Sequence, residues 1–148
     1  MNTKKIILLF TLTVLLIACN ENQQVVKKLD GDWEVTHYNN EPVSDSNLFI
    51  FSKITFNQCK LKNNEYCNGS VTFSDFLNIG FNIAYDVEYN ITNEGETLNY
   101  KIPKSEIPQE LDSLLEIPTK MSLSIVTLEK KELKLQYEGS IIDLEKVD

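Results

Sequence analysis

Apolar and polar residues alternate along most of the chain after residue 30, with a period of two. The clearest stretch is 81–91, where the odd positions are apolar or aromatic and the even positions are polar except for Ala84. This alternation is typical of a β-strand with one buried face. The pattern, together with the turn residues between the runs, predicts eight strands. They cover residues 31–38, 49–58, 66–75, 81–92, 96–102, 120–129, 132–138 and 141–147.

One later segment breaks the alternation. Residues 105–116 carry apolar side chains at helical spacing, and Pro108 suits the first turn of a helix. We therefore predict a short helix over residues 108–116, between strands five and six. The expected fold class is all-β, an eight-stranded antiparallel up-and-down barrel. An open β-sandwich is the competing architecture, and pairing of the last strand with the first would exclude it.

The N-terminal residues follow a different pattern. Two lysines precede an apolar run of twelve residues, Ile6–Ile17, which is short for a membrane span and suits a signal peptide. The run ends in Leu16-Ile17-Ala18-Cys19, which resembles the lipobox of bacterial lipoproteins, in which the cysteine is lipidated and becomes the N-terminus. The prediction is a signal peptide over 1–18, a flexible tether over 19–28 and a barrel domain over 29–148. An ordinary secretory signal or an anchor helix is the alternative.

Two further cysteines, Cys59 and Cys67, remain after Cys19 is assigned to the lipid. In an exported protein such a pair predicts a disulfide. A zinc site would need more ligands than the single histidine, His37, can add, so no metal is expected. Direct pairing of the two cysteines is out of phase by one residue with the apolar pattern of the strands. A bulge at Gly69 would reconcile the two.

The charge of the chain disfavours some functions. The formal net charge is −8, and all fourteen basic residues are lysines, so nucleic-acid binding is not expected. Glycine-rich phosphate loops and calcium-binding loops are missing from the sequence, so no cofactor is expected. His37 stands alone at the end of the first strand, with no paired nucleophile. The sequence therefore predicts a protein that is not an enzyme and has no catalytic residues.

Aromatic and large apolar residues recur on the predicted inward faces of the strands. They form the candidate lining of a ligand cavity. These residues are Trp33, Phe56, Phe73, Tyr85, Tyr89, Tyr100, Leu135 and Tyr137. An eight-stranded barrel has room for one small ligand at most, so a filled core is the alternative. Buried tyrosine hydroxyls need partners, and this requirement favours a cavity that holds water or a ligand.

Gly31-Asp32-Trp33, at the start of the first strand, resembles the opening of lipocalin-like domains in small bacterial lipoproteins, and the resemblance covers residues 29–148. It implies a barrel that binds small apolar molecules or lipids, with Trp33 closing one end. In lipocalins an arginine of the last strand usually packs over this tryptophan. Here Lys146 is the available replacement, without a planar guanidinium. The predicted helix also departs from the family, in which the helix follows the barrel.

The resulting hypothesis is a monomeric lipoprotein, held to a membrane by acyl chains on Cys19, whose barrel binds a small apolar ligand. The alternative is a non-enzymatic envelope protein that binds a partner protein, a protease or a glycan through its outer surface. Asn20 follows the lipidated cysteine. By resemblance to the enterobacterial sorting rule, this predicts the bacterial outer membrane, at its periplasmic face or at the cell surface.

Overall fold

The computed structural model describes residues 21–43, 51–61, 65–73, 82–103 and 119–147. A helix, α1, covers residues 21–29. The strands are β1 (Gly31–Tyr38), β2 (Glu41–Pro42), β3 (Lys53–Phe56), β4 (Cys67–Phe73), β5 (Ile83–Thr92), β6 (Thr97–Lys101), β7 (Lys120–Leu128), β8 (Glu132–Tyr137) and β9 (Ser140–Val147). A 3-10 turn, Asn93–Gly95, joins β5 to β6. In these ranges no helix combines the length and the apolar character that crossing a bilayer requires.

The strands form one antiparallel sheet that closes on itself. The eight longer strands each pair with the next along the chain, and the two-residue β2 pairs with β1. The last strand returns to the first, with Asp32 opposite Val147 and Tyr38 opposite Ile142. The predicted eight-stranded antiparallel barrel is confirmed, and the open β-sandwich is excluded.

Alternation along each strand explains why the sheet encloses a core. In β5 the side chains of Tyr85, Val87, Tyr89 and Ile91 are buried, whereas the residues between them are exposed or half-buried. Each fully buried large side chain contributes roughly 1.5–3 kcal/mol. The predicted strands agree with the observed ones within the described residues, with two differences. Of residues 51–58 only the four of β3 form a strand, and the short strand β2 is not predicted by the pattern.

The N-terminal part of the domain differs from the prediction. Residues 19–28 were expected to be a flexible tether, but residues 21–29 form α1 and pack against the barrel. Val26 and Leu29 are both fully buried. With Val25 they place apolar groups at spacings of three and four residues, on one helical face. So short a helix is marginal alone, and the barrel end supplies the apolar surface that stabilises it.

In the cysteine hairpin, the pairing of the two cysteines and the apolar pattern of the strands differ in phase by one residue. The structure accommodates this difference at another position than Gly69. Cys59 and Cys67 form a disulfide, with 5.5 Å between their Cα atoms. Phe56 lies opposite Gly69 in a regular ladder, so the bulge predicted at Gly69 is wrong. The change of phase falls after β3, in residues 57–59. Gly69 has a different role: a Cβ atom there would collide with the Thr55 carbonyl oxygen.

The predicted helix over residues 108–116 lies outside the described residues. Residues 44–50, 62–64, 74–81 and the rest of 104–118 lie outside them as well.

Candidate ligand site in the barrel interior

The candidate cavity residues lie together on the inner face of the barrel. The structure buries seven of them almost completely and leaves Tyr137 partly buried against the same core. The buried seven are Trp33, Phe56, Phe73, Tyr85, Tyr89, Tyr100 and Leu135. The period-two pattern was therefore sufficient to select inward-facing residues from the sequence.

Trp33 closes one end of this interior, which we call the closed end. Its indole Nε1–H donates a hydrogen bond to the Leu29 carbonyl oxygen at 2.6 Å. Lys146, its partner across the β1–β9 pairing, holds its ammonium 5.2 Å from the ring centroid. This cation–π contact confirms the expectation that Lys146 packs over Trp33.

Gly31 explains why a glycine stands two residues before the tryptophan. Its φ angle is +115°, a conformation that side-chain-bearing residues rarely adopt. A Cβ atom at this position would also lie 2.9 Å from Cε of Lys146. The glycine therefore turns the chain from α1 into β1 and leaves room for Lys146 to reach Trp33.

Three contacts fix α1 across the rim of the closed end. Gln23 binds the cysteine hairpin, since its Nε2 donates to the Cys59 carbonyl oxygen at 2.8 Å and its Oε1 accepts from the Leu61 N–H at 2.9 Å. Val25 packs over Gly95 in the turn between β5 and β6. The third contact, a long one of 3.4 Å, joins the Lys146 ammonium to the Lys28 carbonyl oxygen. The helix thus acts as a plug held from three sides.

Aromatic rings above the plug pair edge to face. Phe56 and Tyr89 have ring centroids 5.0 Å apart, near the closed end. Phe73 and Tyr85 are 6.1 Å apart, on strand segments toward the opposite end. A third pair, at 6.4 Å, joins Tyr100 to Phe51. Such geometry adds roughly 0.5–1.5 kcal/mol per pair beyond area burial.

The buried tyrosine hydroxyls differ in how they are satisfied. Tyr89 donates to the Asn57 carbonyl oxygen at 3.0 Å, and Tyr100 donates to the Met121 sulfur at 2.7 Å. The Tyr85 hydroxyl is buried and has no hydrogen-bond partner among the described residues. Only 4% of Tyr85 is exposed, so bulk water does not readily supply one. Burial raises the pKa of all three phenols.

This burial predicts how stability changes at alkaline pH. An unfolded tyrosine ionises near pH 10, whereas burial raises the pKa of Tyr85, Tyr89 and Tyr100 in the folded protein. These three groups should leave the free energy of unfolding unchanged below about pH 10. They should lower it as the pH rises further, because the unfolded state releases these protons more readily than the folded state does. Phenolate absorbance during a pH titration should show the three phenols ionising only together with unfolding, recorded by circular dichroism. Reversible ionisation of all six tyrosines in the folded state would contradict this.

Sequence reasoning missed two contributors to the interior. Phe51 precedes β3 and is buried, but the apolar positions of its neighbourhood change phase between residues 51 and 54. Met121 alternates with polar neighbours in the sequence, but its role as acceptor for Tyr100 depends on the pairing of β6 with β7. Of these two contributions, only the hydrogen bond between Tyr100 and Met121 depends wholly on tertiary structure.

Within the described ranges, His, Cys, Asp and Glu side chains do not gather in groups of three or more that could hold a metal ion. His37 lies beside Thr36, with 3.1 Å between Nδ1 and Oγ1. A groove of about 920 Å³ on the outside, along β1, β8 and β9, includes the Lys134–Asp143 ion pair at 2.9 Å. A smaller one, about 400 Å³, crosses β5 to β7 around Asn99.

Polar groups in the smaller groove already bind one another. The Asn99 amide donates to Asn90 Oδ1 at 3.2 Å and to Thr92 Oγ1 at 3.0 Å, and Ser122 donates to Asn99 Oδ1. The buried, unpaired hydroxyl of Tyr85 is therefore the stronger indication of a ligand.

Comparison with known proteins agrees with this architecture. A lipocalin-like protein from Bacteroides uniformis matches with a TM-score of 0.57 and 18% sequence identity, over 81% of this chain and 99% of that one. An uncharacterized protein from Bacteroides eggerthii matches with a TM-score of 0.52 and 11% identity, over 80% of this chain and 99% of that one. No protein-family model and no curated protein matches the sequence. The chain therefore has a lipocalin-like β-barrel fold.

Proposed function

We propose that this protein is a membrane-anchored, non-enzymatic lipoprotein whose barrel binds a small apolar ligand carrying one hydrogen-bonding group. The observation that carries the proposal is the buried Tyr85 hydroxyl, which lacks a partner among the described residues. The ligand would be an acyl chain or a ring system with a carboxylate, carbonyl or hydroxyl group. The lipid anchor rests on Cys19, which follows the signal-like N-terminus.

Energetics support a ligand at Tyr85. A buried polar group that remains unpaired costs roughly 1–3 kcal/mol, and a bound acceptor would recover this cost. The Tyr85 hydroxyl can donate at neutral pH, because a tyrosine ionises only near pH 10 and burial raises the pKa of Tyr85 further. Phe73 lies edge to face beside it, so an acceptor at Tyr85 would have an aromatic neighbour for the apolar part.

The position of Tyr85 suggests the route of entry. It lies opposite Val71, near the start of β5, whereas Trp33 and α1 occupy the other end of the barrel. We infer that the ligand enters at the end away from α1. It would bind above the Phe56–Tyr89 pair.

Replacing Tyr85 with phenylalanine tests the proposal. The variant should be as stable as the wild type or slightly more stable, because the change removes an unpaired buried hydroxyl. Its affinity for a fluorescent fatty acid should fall about 5- to 30-fold, which corresponds to roughly 1–2 kcal/mol. Fluorescence titration of the delipidated domain measures the affinity, and chemical denaturation measures the stability.

The matched control is Tyr66→Phe, which removes a tyrosine hydroxyl at the outer surface, where Lys101 lies over the ring. This variant should bind the probe as tightly as the wild type. Equal affinities for all three proteins would reject Tyr85 as the polar contact. If the probe does not bind, and native mass spectrometry of protein purified from its host shows no co-purified ligand, the filled-core alternative with an outer binding surface is favoured instead.

A further inference from the structure

We propose that α1 holds the closed end of the barrel against the membrane, so that the end at which the ligand enters faces away from the anchoring bilayer. The inference rests on the lipid anchor of the proposed function. On this proposal the barrel has a defined orientation relative to the membrane, which a barrel on a flexible tether would not have. The partner surface is therefore a lipid bilayer, contacted at the rim where α1 is fixed.

The first step is the length of chain between the lipid and the barrel. Two peptide units separate Cys19 from Glu21, where the described helix starts. Even fully extended they span only about 7 Å. Two residues later, Gln23 is bound to the cysteine hairpin by two hydrogen bonds. An acyl group on Cys19 is therefore confined to the neighbourhood of the closed rim.

The second step is that α1 has little freedom to swing away from the barrel. Its buried residues, Val26 and Leu29, lie within the core cluster of the barrel. The Leu29 carbonyl oxygen is held by Trp33, and Val25 contacts Gly95 on another part of the rim. For α1 to act as a flexible tether, all these contacts would have to break, and its apolar side chains would be exposed to water.

The third step is the distance to the opposite end. β1 runs from Gly31, at the closed end, to Tyr38, where it meets β2. Seven residue steps cover roughly 23 Å along the strand, or roughly 18 Å along the axis at a strand tilt of about 40°. With the closed end on the membrane, the opposite end is separated from the head groups by the body of the barrel.

The orientation decides where ligands are exchanged. A barrel whose entry end faces away from its own bilayer takes ligands from the aqueous phase, or from a partner located there. Direct extraction of a lipid from the anchoring bilayer would require the entry end to face that bilayer.

Depth-dependent quenching tests this orientation in the full, lipidated chain bound to phosphatidylcholine vesicles with nitroxide-labelled head groups. One fluorophore position is Lys27→Cys, exposed on α1, and the other is Glu41→Cys, exposed on β2. Labelling under non-reducing conditions spares the Cys59–Cys67 disulfide. Quenching should be several-fold stronger at position 27 than at position 41.

A control variant carries a long Gly/Ser insertion between Asn20 and Glu21, which keeps the barrel and restores a true tether. In this variant the two positions should show nearly equal quenching. Equal quenching without the insertion, or stronger quenching at position 41, would overturn the orientation while leaving the anchor intact. If Cys19→Ser binds the vesicles as well as the wild type does, the anchor itself fails and the orientation fails with it. The fatty-acid titration reports on ligand binding independently.

Discussion

Replacing Trp33 with alanine should lower the free energy of unfolding by about 3–5 kcal/mol. The side chain is fully buried, and its removal leaves a cavity between the barrel core and α1. The change also leaves the Leu29 carbonyl oxygen without the indole donor that now binds it. Circular dichroism during chemical denaturation measures the loss, because the variant no longer contains tryptophan.

Two further variants separate the contributions of packing, hydrogen bonding and charge. Trp33→Phe keeps a ring but loses the N–H donor, and should cost less than alanine, about 1–3 kcal/mol. Lys146→Met keeps an apolar chain of similar length over the ring but removes the charge, and should cost about 0.5–1 kcal/mol. A cost well under 1 kcal/mol for Trp33→Ala would mean that Trp33 does not act as a buried plug.

The double substitution Cys59→Ala/Cys67→Ala should destabilise the protein by about 2.5 kcal/mol, the second of the two largest effects expected. The disulfide closes a loop between residues eight apart in sequence, and the estimate follows from the entropy that this closure removes from the unfolded chain. The hairpin also holds Gln23 through the Cys59 carbonyl oxygen. Weakening it should therefore loosen the start of α1.

Guanidinium denaturation of the double variant measures this loss, and hydrogen exchange of residues 21–29 reports on the helix. Reduced wild-type protein serves as a matched control, because it has the same cysteine side chains without the covalent bond. The two should unfold at similar denaturant concentrations. A loss below about 0.5 kcal/mol would be smaller than a native disulfide usually contributes. It would mean that strand pairing alone holds the hairpin.

Much of the barrel could be predicted because alternation is a local property. A strand that faces a core on one side presents an apolar side chain at every second residue, and the eight longer strands do so over most of their length. The register of β1 shifts between Val35 and His37, and that of β7 shifts between Ile125 and Thr127. The disulfide could also be predicted, since a pair of cysteines in a chain that is expected to be exported has few other uses.

The helix α1 could not be predicted in the same way. Only Val25, Val26 and Leu29 are apolar among its residues, and so short a segment has no stable helical form by itself. Its structure depends on the apolar end of the barrel, which is assembled from strands distant in sequence. The sequence pattern therefore predicts a tether where the folded protein has a plug.

The sequence by itself determined the eight longer strands, most of their inward faces, the position of Trp33 and the pair of cysteines that could bond. The tertiary structure decided that β9 closes on β1, that Lys146 lies over Trp33, that α1 plugs one end and that Tyr85, unlike Tyr89 and Tyr100, has an unpaired hydroxyl among the described residues. The physical reason is the range of the interactions. Alternation depends on neighbouring residues, whereas closure, plugging and hydrogen-bond pairing depend on the register between strands far apart in the chain.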